Sequence, residues 1–290
     1  MRTTSCRTRA PLAGSYRFAR RLVRASGSPL LALLLALPLA AGCGTLSVAE
    51  ERQLGQQAVQ AVEAELELVD DAEVVGYVER LGRELVAAAG PQPFRYRFAV
   101  VNDAALNAFA LPAGSIYVNT GTILAAADMS ELAGVMAHEV GHVSLRHVAR
   151  SYNRQRNTGY VYQAGTAVLD VLFGGAAAAG GGALGGLAAK AYLTSYSREA
   201  EEEADRFAVK VLPRVGIDPH GLVHFFERLR EEGGSRGLEF LSSHPATVVR
   251  ISKTSAAIAA ARLPSGLRRD DGELEAVQRR IRQLGGSGAR

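Results

Sequence analysis

Apolar and polar positions recur along this chain with two different periods. From Val48 to Leu68 the apolar residues fall at helical spacing in an otherwise polar segment, and a second such run covers Glu73 to Ala89. Asp70-Asp71 is placed to cap the second helix, and Gly90-Pro91 closes it. Residues 94–101 (FRYRFAVV) switch to a period of two, with aromatic and β-branched side chains that predict a strand. Asn102-Asp103 is turn chemistry, Pro112-Ala113-Gly114 a hairpin turn, and Ser115 to Asn119 a second strand. The proline and polar flanks of that second strand suit a sheet edge. Residues 130–149 (SELAGVMAHEVGHVSLRHVA) return to helix, with Ser130 as N-cap and a stripe of Leu132, Val135, Met136, Val140 and Val143. Further helices are predicted from about Arg198 to Val211, over 219–230 and from Pro245 to Ala261. The sum is an α+β fold, mostly α.

Two segments break this rhythm. Residues 172–190 (LFGGAAAAGGGALGGLAAK) are low-complexity Gly/Ala, read as a mobile loop or poorly ordered helix, with a membrane-touching or lid segment as the sharper alternative. Residues 263–290 read as a charged C-terminal tail with a frayed end. No period of 30–45 residues recurs, so no solenoid is expected.

Charge changes the picture at the start of the chain. The net charge is +4, but residues 1–43 hold seven arginines and no acid, so removing them leaves a body at −3. A mildly acidic body is a poor phosphate binder, which argues against nucleic acid as a partner. The basic head precedes an apolar run, Pro29 to Ala41, too short for a comfortable membrane span. Head, run and small residues together predict a signal peptide over 1–42. Leu39-Ala40-Ala41-Gly42-Cys43 resembles a bacterial lipobox, which implies lipidation at Cys43 and a membrane anchor there. An ordinary signal with Cys43 incidental is the alternative. The only other cysteine, Cys6, lies in the head, so the mature body has no further thiol to oxidise, as suits an oxidising compartment. By resemblance to lipoprotein sorting, Gly44 after the cysteine favours the outer membrane, facing the periplasm.

The chemistry concentrates in His138-Glu139-Val140-Gly141-His142, an HExxH motif. Four helical residues advance about 400°, so His138 and His142 lie about 40° apart, one turn above the other, and can share one Zn2+ ion. Glu139 falls on the flank of that face, where a general base for the attacking water belongs. A catalytic zinc wants a third protein ligand. His147 would lie about 180° around a continuous helix from His138, so it reads as a packed or surface histidine. The acidic cluster at 197–205 (SREAEEEAD) is the obvious source. Glu201 and Asp205 share one face at i,i+4, with Glu201 able to ligate and Asp205 able to fix a ligand imidazole. The competing reading is a solvated acidic face with pairs such as Glu202–Arg206.

HEVGHVSLRH at 138–147 with SREAEEEAD at 197–205 resembles metallopeptidase family forty-eight, the group of the CaaX prenyl protease, HtpX and Oma-like zinc metalloendopeptidases. NAFALPAGSIYVNTG at 107–121 is similar to the family's strand before the active helix, and His244-Pro245 with Arg250 to its later H-P-x-x-x-x-R element. The resemblance implies a gluzincin-type zinc peptidase with a small antiparallel sheet over the active helix, in a domain spanning 43–262. It also implies Glu201 as third metal ligand and Asp205 behind the ligands. By family position His244 and Arg250 become catalytic candidates for steadying the oxyanion, with Tyr196 a weaker one. His244 could instead be a helix-start residue or a plug on the metal. Ala113 replaces a family glycine, and Ala246-Thr247-Val248-Val249 replaces commonly acidic positions. The chain lacks a convincing spanning helix and the tetratricopeptide extension of some relatives, so it is similar to the lipid-anchored branch.

These readings predict a zinc metalloendopeptidase cutting unfolded or misassembled envelope proteins. Ser115, Ile116, Tyr117, Val118 and Asn119 are its expected substrate edge, onto which an extended polypeptide adds as a strand. The alternative is a periplasmic lipoprotein chaperone that binds client strands and rarely cuts; a structural lipoprotein with incidental histidines is the third reading.

Overall fold

The elements begin where the sequence supplies caps. Ser47 and Glu50 form a reciprocal capping box that opens α1 (Val48–Glu63). Asp71 accepts the Glu73 and Val74 amides at the head of α2 (Ala72–Ala89). There follow β1 (Arg97–Val101), β2 (Ala108–Ala110), β3 (Ser115–Asn119), α3 (Thr120–Ala125), α4 (Met129–Ser144), α5 (His147–Asn157), α6 (Arg198–Val211), α7 (His220–Glu232), α8 (Val248–Ala260) and α9 (Leu274–Ser287). The computed structural model describes residues 45–157, 196–232, 240, 244–245 and 247–287. The expected signal peptide, Cys43 and the Gly/Ala segment 172–190 lie outside them. No described helix is long and apolar enough to cross a membrane.

The three-stranded sheet is mixed, not antiparallel as expected. Its order is β1-β3-β2, with β1 parallel and β2 antiparallel to β3. The turn at Pro112–Gly114 folds β2 back onto β3 and leaves only the far flank of β3 open to β1. Gly114 takes φ 109° there, and a Cβ on it would meet the Arg95 carbonyl oxygen at 2.6 Å. Consequently Ser115–Asn119 is the central strand, and its expected role as an exposed substrate edge is corrected. The physical reason was legible: Ile116, Tyr117 and Val118 are consecutive and all buried, the mark of a strand covered on both faces. The described edge next to the active helix is β2 instead. Asn119 donates its amide to the Asn107 carbonyl and Leu111 to that of Ser115. Ladder alternation then turns the main-chain groups of Ala108 and Ala110 away from β3.

Helix α4 runs through the middle of the core. Every residue from Met129 to Val143 is buried, with α7, α6, α2 and β2 packed around it. A helix enclosed on all sides must carry either apolar or fully partnered side chains, which frames the chemistry of its polar members. Its N-cap is Asp128, not Ser130: Asp128 accepts from the Glu131 amide and from the Ser130 hydroxyl. Gly134 allows the α7 backbone to come close, since a Cβ there would lie 2.8 Å from the Leu222 Cα.

The C-terminal segment is not a frayed tail through 287. Gly44–Arg290 forms one compact unit. Leu274, Val277 and Ile281 of α9 are buried, Arg280 pairs with Asp71 at the head of α2, and Gln278 bonds the Ile123 and Ala126 carbonyls. The apolar spacing 274-277-281 is helical, but the surrounding charge masked it.

Candidate metal centre

The HExxH residues sit in the last two turns of α4. His138, Glu139 and His142 are at most 1% exposed. Ser197 accepts the Ala200 amide and starts α6, which carries Glu201 and Asp205 to the same place from a segment well downstream in the chain. Thr247 caps α8, which brings Arg250, and His244 precedes that cap. His138, His142, Glu201 and His244 each offer one ligand atom, and these atoms all lie within 4.8 Å of one another. The sequence-derived set 138, 142 and 201 therefore converges, and His244 joins it as a fourth member.

The hydrogen bonds say what belongs at that point. His138 Nδ1 lies 2.9 Å from Asp205 Oδ1, so that nitrogen carries a proton and donates it. Its Nε2 faces His142 Nε2 at 2.9 Å and Glu201 Oε2 at 3.4 Å. His142 Nε2 is 3.4 Å from Glu201 Oε1. Two ring nitrogens and a carboxylate aimed at one another, all buried, repel unless positive charge stands among them. Burial and the Arg250 guanidinium oppose protonation of His138, but the Asp205 and Glu201 carboxylates outweigh them and raise it to about 9. Burial holds His142 well below the usual imidazole range. Burial also opposes ionisation of Glu201, yet the histidines around it keep its carboxyl far below the usual carboxylate range. A donor set of two imidazoles and one carboxylate fits a divalent metal of the zinc type.

Glu139 is the odd member. Among the described residues neither carboxylate oxygen has a hydrogen-bond partner, although both are buried. Burial raises its pKa above the ordinary value. His244 Nε2 lies 3.5 Å from its Oε1. A buried, unpaired carboxylate beside a candidate metal site is a costly arrangement for structure alone and a suitable one for proton transfer.

Arg250 and Asp205 form the back wall. Arg250 Nε and Nη2 bind the two Asp205 oxygens at 2.6 and 2.8 Å, a bidentate pair. Its Nη1 lies 2.7 Å from Glu201 Oε2, a charge contact without hydrogen-bond alignment. The guanidinium also stacks over Phe226, 4.5 Å from the ring centroid. Arg250 is thus committed to Asp205 and Glu201 and presents no spare fork to a reacting group. His244 Nδ1 sits 3.0 Å from Glu201 Oε1 and 3.3 Å from His138 Nε2, inside the ligand circle. Tyr196 stacks flat on His142, ring centroids 3.9 Å apart.

His147, read from the sequence as a packed or surface histidine, is packed, but against a metal-ligand candidate that the helical wheel had put on the other side. His147 is buried, with its Nδ1 2.8 Å from His142 Nδ1. The expectation that it faces away assumed one helix through residue 149. In fact α4 ends at Ser144, and Arg146 adopts φ 54°, which redirects the chain before His147 opens α5. Glu202 also forms the expected surface pair with Arg206, and a further one with Lys253. The two readings of the acidic cluster therefore hold on different sides of α6.

Residues 73–258, more than half of the chain, match the family described as Peptidase family M48. The β-barrel assembly-enhancing protease of Escherichia coli (strain K12) is 32% identical over 212 residues, 72% of this chain and 44% of that protein. Metalloprotease LoiP of the same organism is 30% identical over 214 residues, covering 71% of this chain and 79% of that protein. Metalloprotease YcaL, also from that organism, is 28% identical over 207 residues, 71% and 79% respectively. The chain spans under half the length of the assembly-enhancing proteases it matches.

Proposed function

The chain belongs to peptidase family M48, and from that premise we propose a zinc metalloendopeptidase that cuts unfolded or misassembled proteins of the cell envelope. The observation that carries the reading is the convergence of His138, His142 and Glu201 beside Glu139, whose buried carboxylate makes no hydrogen bond among the described residues. His138, His142 and Glu201 would hold the ion, which supplies Lewis-acid polarisation of water and of the scissile carbonyl. Glu139 takes the proton of the attacking water and passes it to the departing amine; burial raises its pKa toward the range that such a shuttle needs. Asp205 holds the His138 imidazole with its Nε2 lone pair forward. Arg250, engaged with Asp205 and Glu201, is a positioning residue. His244, lodged among the ligands, acts in this conformation as a plug on the open ligand position.

The substrate strand adds to the β2 edge, where the main-chain groups of Ala108 and Ala110, turned away from β3 but buried in this conformation, read backbone and not sequence. Broad preference of that kind suits unfolded clients, and a relative named for enhancing β-barrel assembly supports substrates of the envelope. Lipidation of Cys43 would tether the enzyme to the outer membrane on its periplasmic side. A chaperone that holds clients and seldom cuts remains the rival, favoured by the burial of His244 in the site.

The test is digestion of unfolded casein and of an unfolded outer-membrane protein by the zinc-loaded chain and by Glu139→Gln. The proposal expects cleavage by the first and none by the second at equal zinc content. A Glu139→Gln chain that retains full cellular function supports the chaperone. A zinc-loaded wild type that leaves both substrates intact, also with His244→Ala, refutes the protease reading of the substrates.

A further inference from the structure

The two ligand imidazoles are backed differently, and only one backing has a role so far. His138 leans on Asp205 directly, and Asp205 is gripped by Arg250. His142 leans on His147, Nδ1 to Nδ1 at 2.8 Å. His147 Nε2 lies 3.1 Å from Glu203 Oε2, and both Nη groups of Arg150 bind the Glu203 carboxylate. We propose that His147, Glu203 and Arg150 form a second positioning arm, which fixes the His142 imidazole in the tautomer and tilt that metal binding requires. This rests on the metalloprotease reading above, with His142 as a ligand.

The argument is one of donors and acceptors. Two facing ring nitrogens at 2.8 Å share one proton. The metal point lies on the Nε2 side of His142, between His138 and Glu201. A ligand nitrogen must offer a lone pair, so the His142 proton resides on Nδ1 and is donated to His147. His147 Nδ1 then accepts, which puts its own proton on Nε2, facing Glu203. Glu203, an acceptor only, is held by the Arg150 donors. Every group meets its complement in one direction. The reverse tautomer of His142 would point an N–H at the metal and strand two lone pairs against each other.

The local fold serves this arrangement. The left-handed Arg146 ends α4 two residues beyond its last helical turn and swings His147 back over His142. Arg146 is pinned in that role by Glu51 and by the Leu46 carbonyl. Tyr196 covers one face of the His142 ring at an interplanar angle of 18° and limits rotation about its χ2. Glu203 sits on α6 between the ligand Glu201 and the Asp205 that backs His138. One helix therefore supplies a ligand and a carboxylate for each imidazole ligand.

A space-filling role for His147 predicts different results from a positioning one. His147→Asn keeps an acceptor near the Nδ1 position, His147→Leu removes it, and Glu203→Gln weakens the far anchor. Zinc affinity is read by chelator competition on the full chain, alongside thermal unfolding of the metal-free protein. Long-range ¹H–¹⁵N spectra of the zinc-loaded wild type read the tautomers. The expected result is a loss of about 10–100-fold in zinc affinity for His147→Leu, the usual range for a residue behind a ligand, and recovery of most of it in His147→Asn. The spectra should show His142 protonated at Nδ1 and His147 at Nε2. The inference is overturned if His147→Leu binds zinc as tightly as wild type, if Asn and Leu lose equally, or if the His142 proton is found elsewhere. Should the leucine variant fail to fold, the wild-type spectra decide alone. A wild type that takes up no zinc overturns the metal reading itself, and this inference with it.

Discussion

Replacing Arg250 by methionine isolates the electrostatics of the metal centre. The guanidinium is 4% exposed and meets two carboxylates: Asp205 through two hydrogen bonds at 2.6 and 2.8 Å, and Glu201 at 2.7 Å. Burial pushes the Asp205 carboxyl up, and hydrogen bonds from Arg250 first and His138 second outweigh it and bring the group down to about 2. Methionine fills similar volume over Phe226 but leaves both carboxylates buried without their cation. Breaking a buried pair from one side costs roughly 3–5 kcal/mol. For a chain of this size that is a fall in Tm of about 6–20 °C. Zinc held as proposed would neutralise Glu201 but do nothing for the far side of Asp205, so the loaded protein should lose less than the metal-free one. Adding Asp205→Asn to Arg250→Met removes the stranded charge and should recover part of the loss. Thermal unfolding of wild type, both single variants and the double, with and without zinc, measures every term. The reasoning is refuted if Arg250→Met melts within about 2 °C of wild type, or if Asp205→Asn destabilises the methionine background further.

Other outcomes follow from the same geometry. His244→Ala should raise peptide hydrolysis severalfold at unchanged zinc content if His244 is a plug; a fall in turnover would make it a catalyst. Gly134→Ala pushes a Cβ to 2.8 Å from the Leu222 backbone, and should cost about 1–3 kcal/mol in urea unfolding because two helix backbones must separate. In the metal-free protein two histidines act in opposite senses with pH. Burial lowers His147 to about 4, so its contribution is complete above pH 6.5 and is lost as pH falls through 4, by up to roughly 3 kcal/mol. His138, raised to about 9, contributes fully below 6.5 and loses that stability as pH rises through 9. Urea titrations should therefore show stability falling on both sides of neutrality, with the acid limb flattened in His147→Asn.

The parts of the site that sequence displayed were those with local grammar. HExxH in an apolar stripe announces its own helix, and the structure enclosed that helix completely. Glu201 and Asp205 were visible as an i,i+4 pair, but nothing in their own spacing chose them over a solvated face; only family resemblance did. His147 was lost because a helical wheel extrapolates past a break, and the break depends on Arg146 being held left-handed by Glu51 from 95 positions away. Tertiary partners of that kind leave no periodic trace. The same holds for the sheet: Pro112 belongs to the turn before β3, so it carried no information about whether that strand had one neighbour or two. Residues 263–290 misled through charge, since Arg280 is a partner for Asp71 and not simply a solvated surface group.

The long reach of these contacts has a consequence for how the enzyme comes into being. Arg280 closes on Asp71 across 209 positions, and Arg250 meets Asp205 only after the ligand helices have been made. A chain emerging from its amino end will hold both histidines of the motif long before α8 arrives to brace their carboxylates. The carboxylates behind the two histidines thus gain their buried cation only when the last segments have been delivered and folded back.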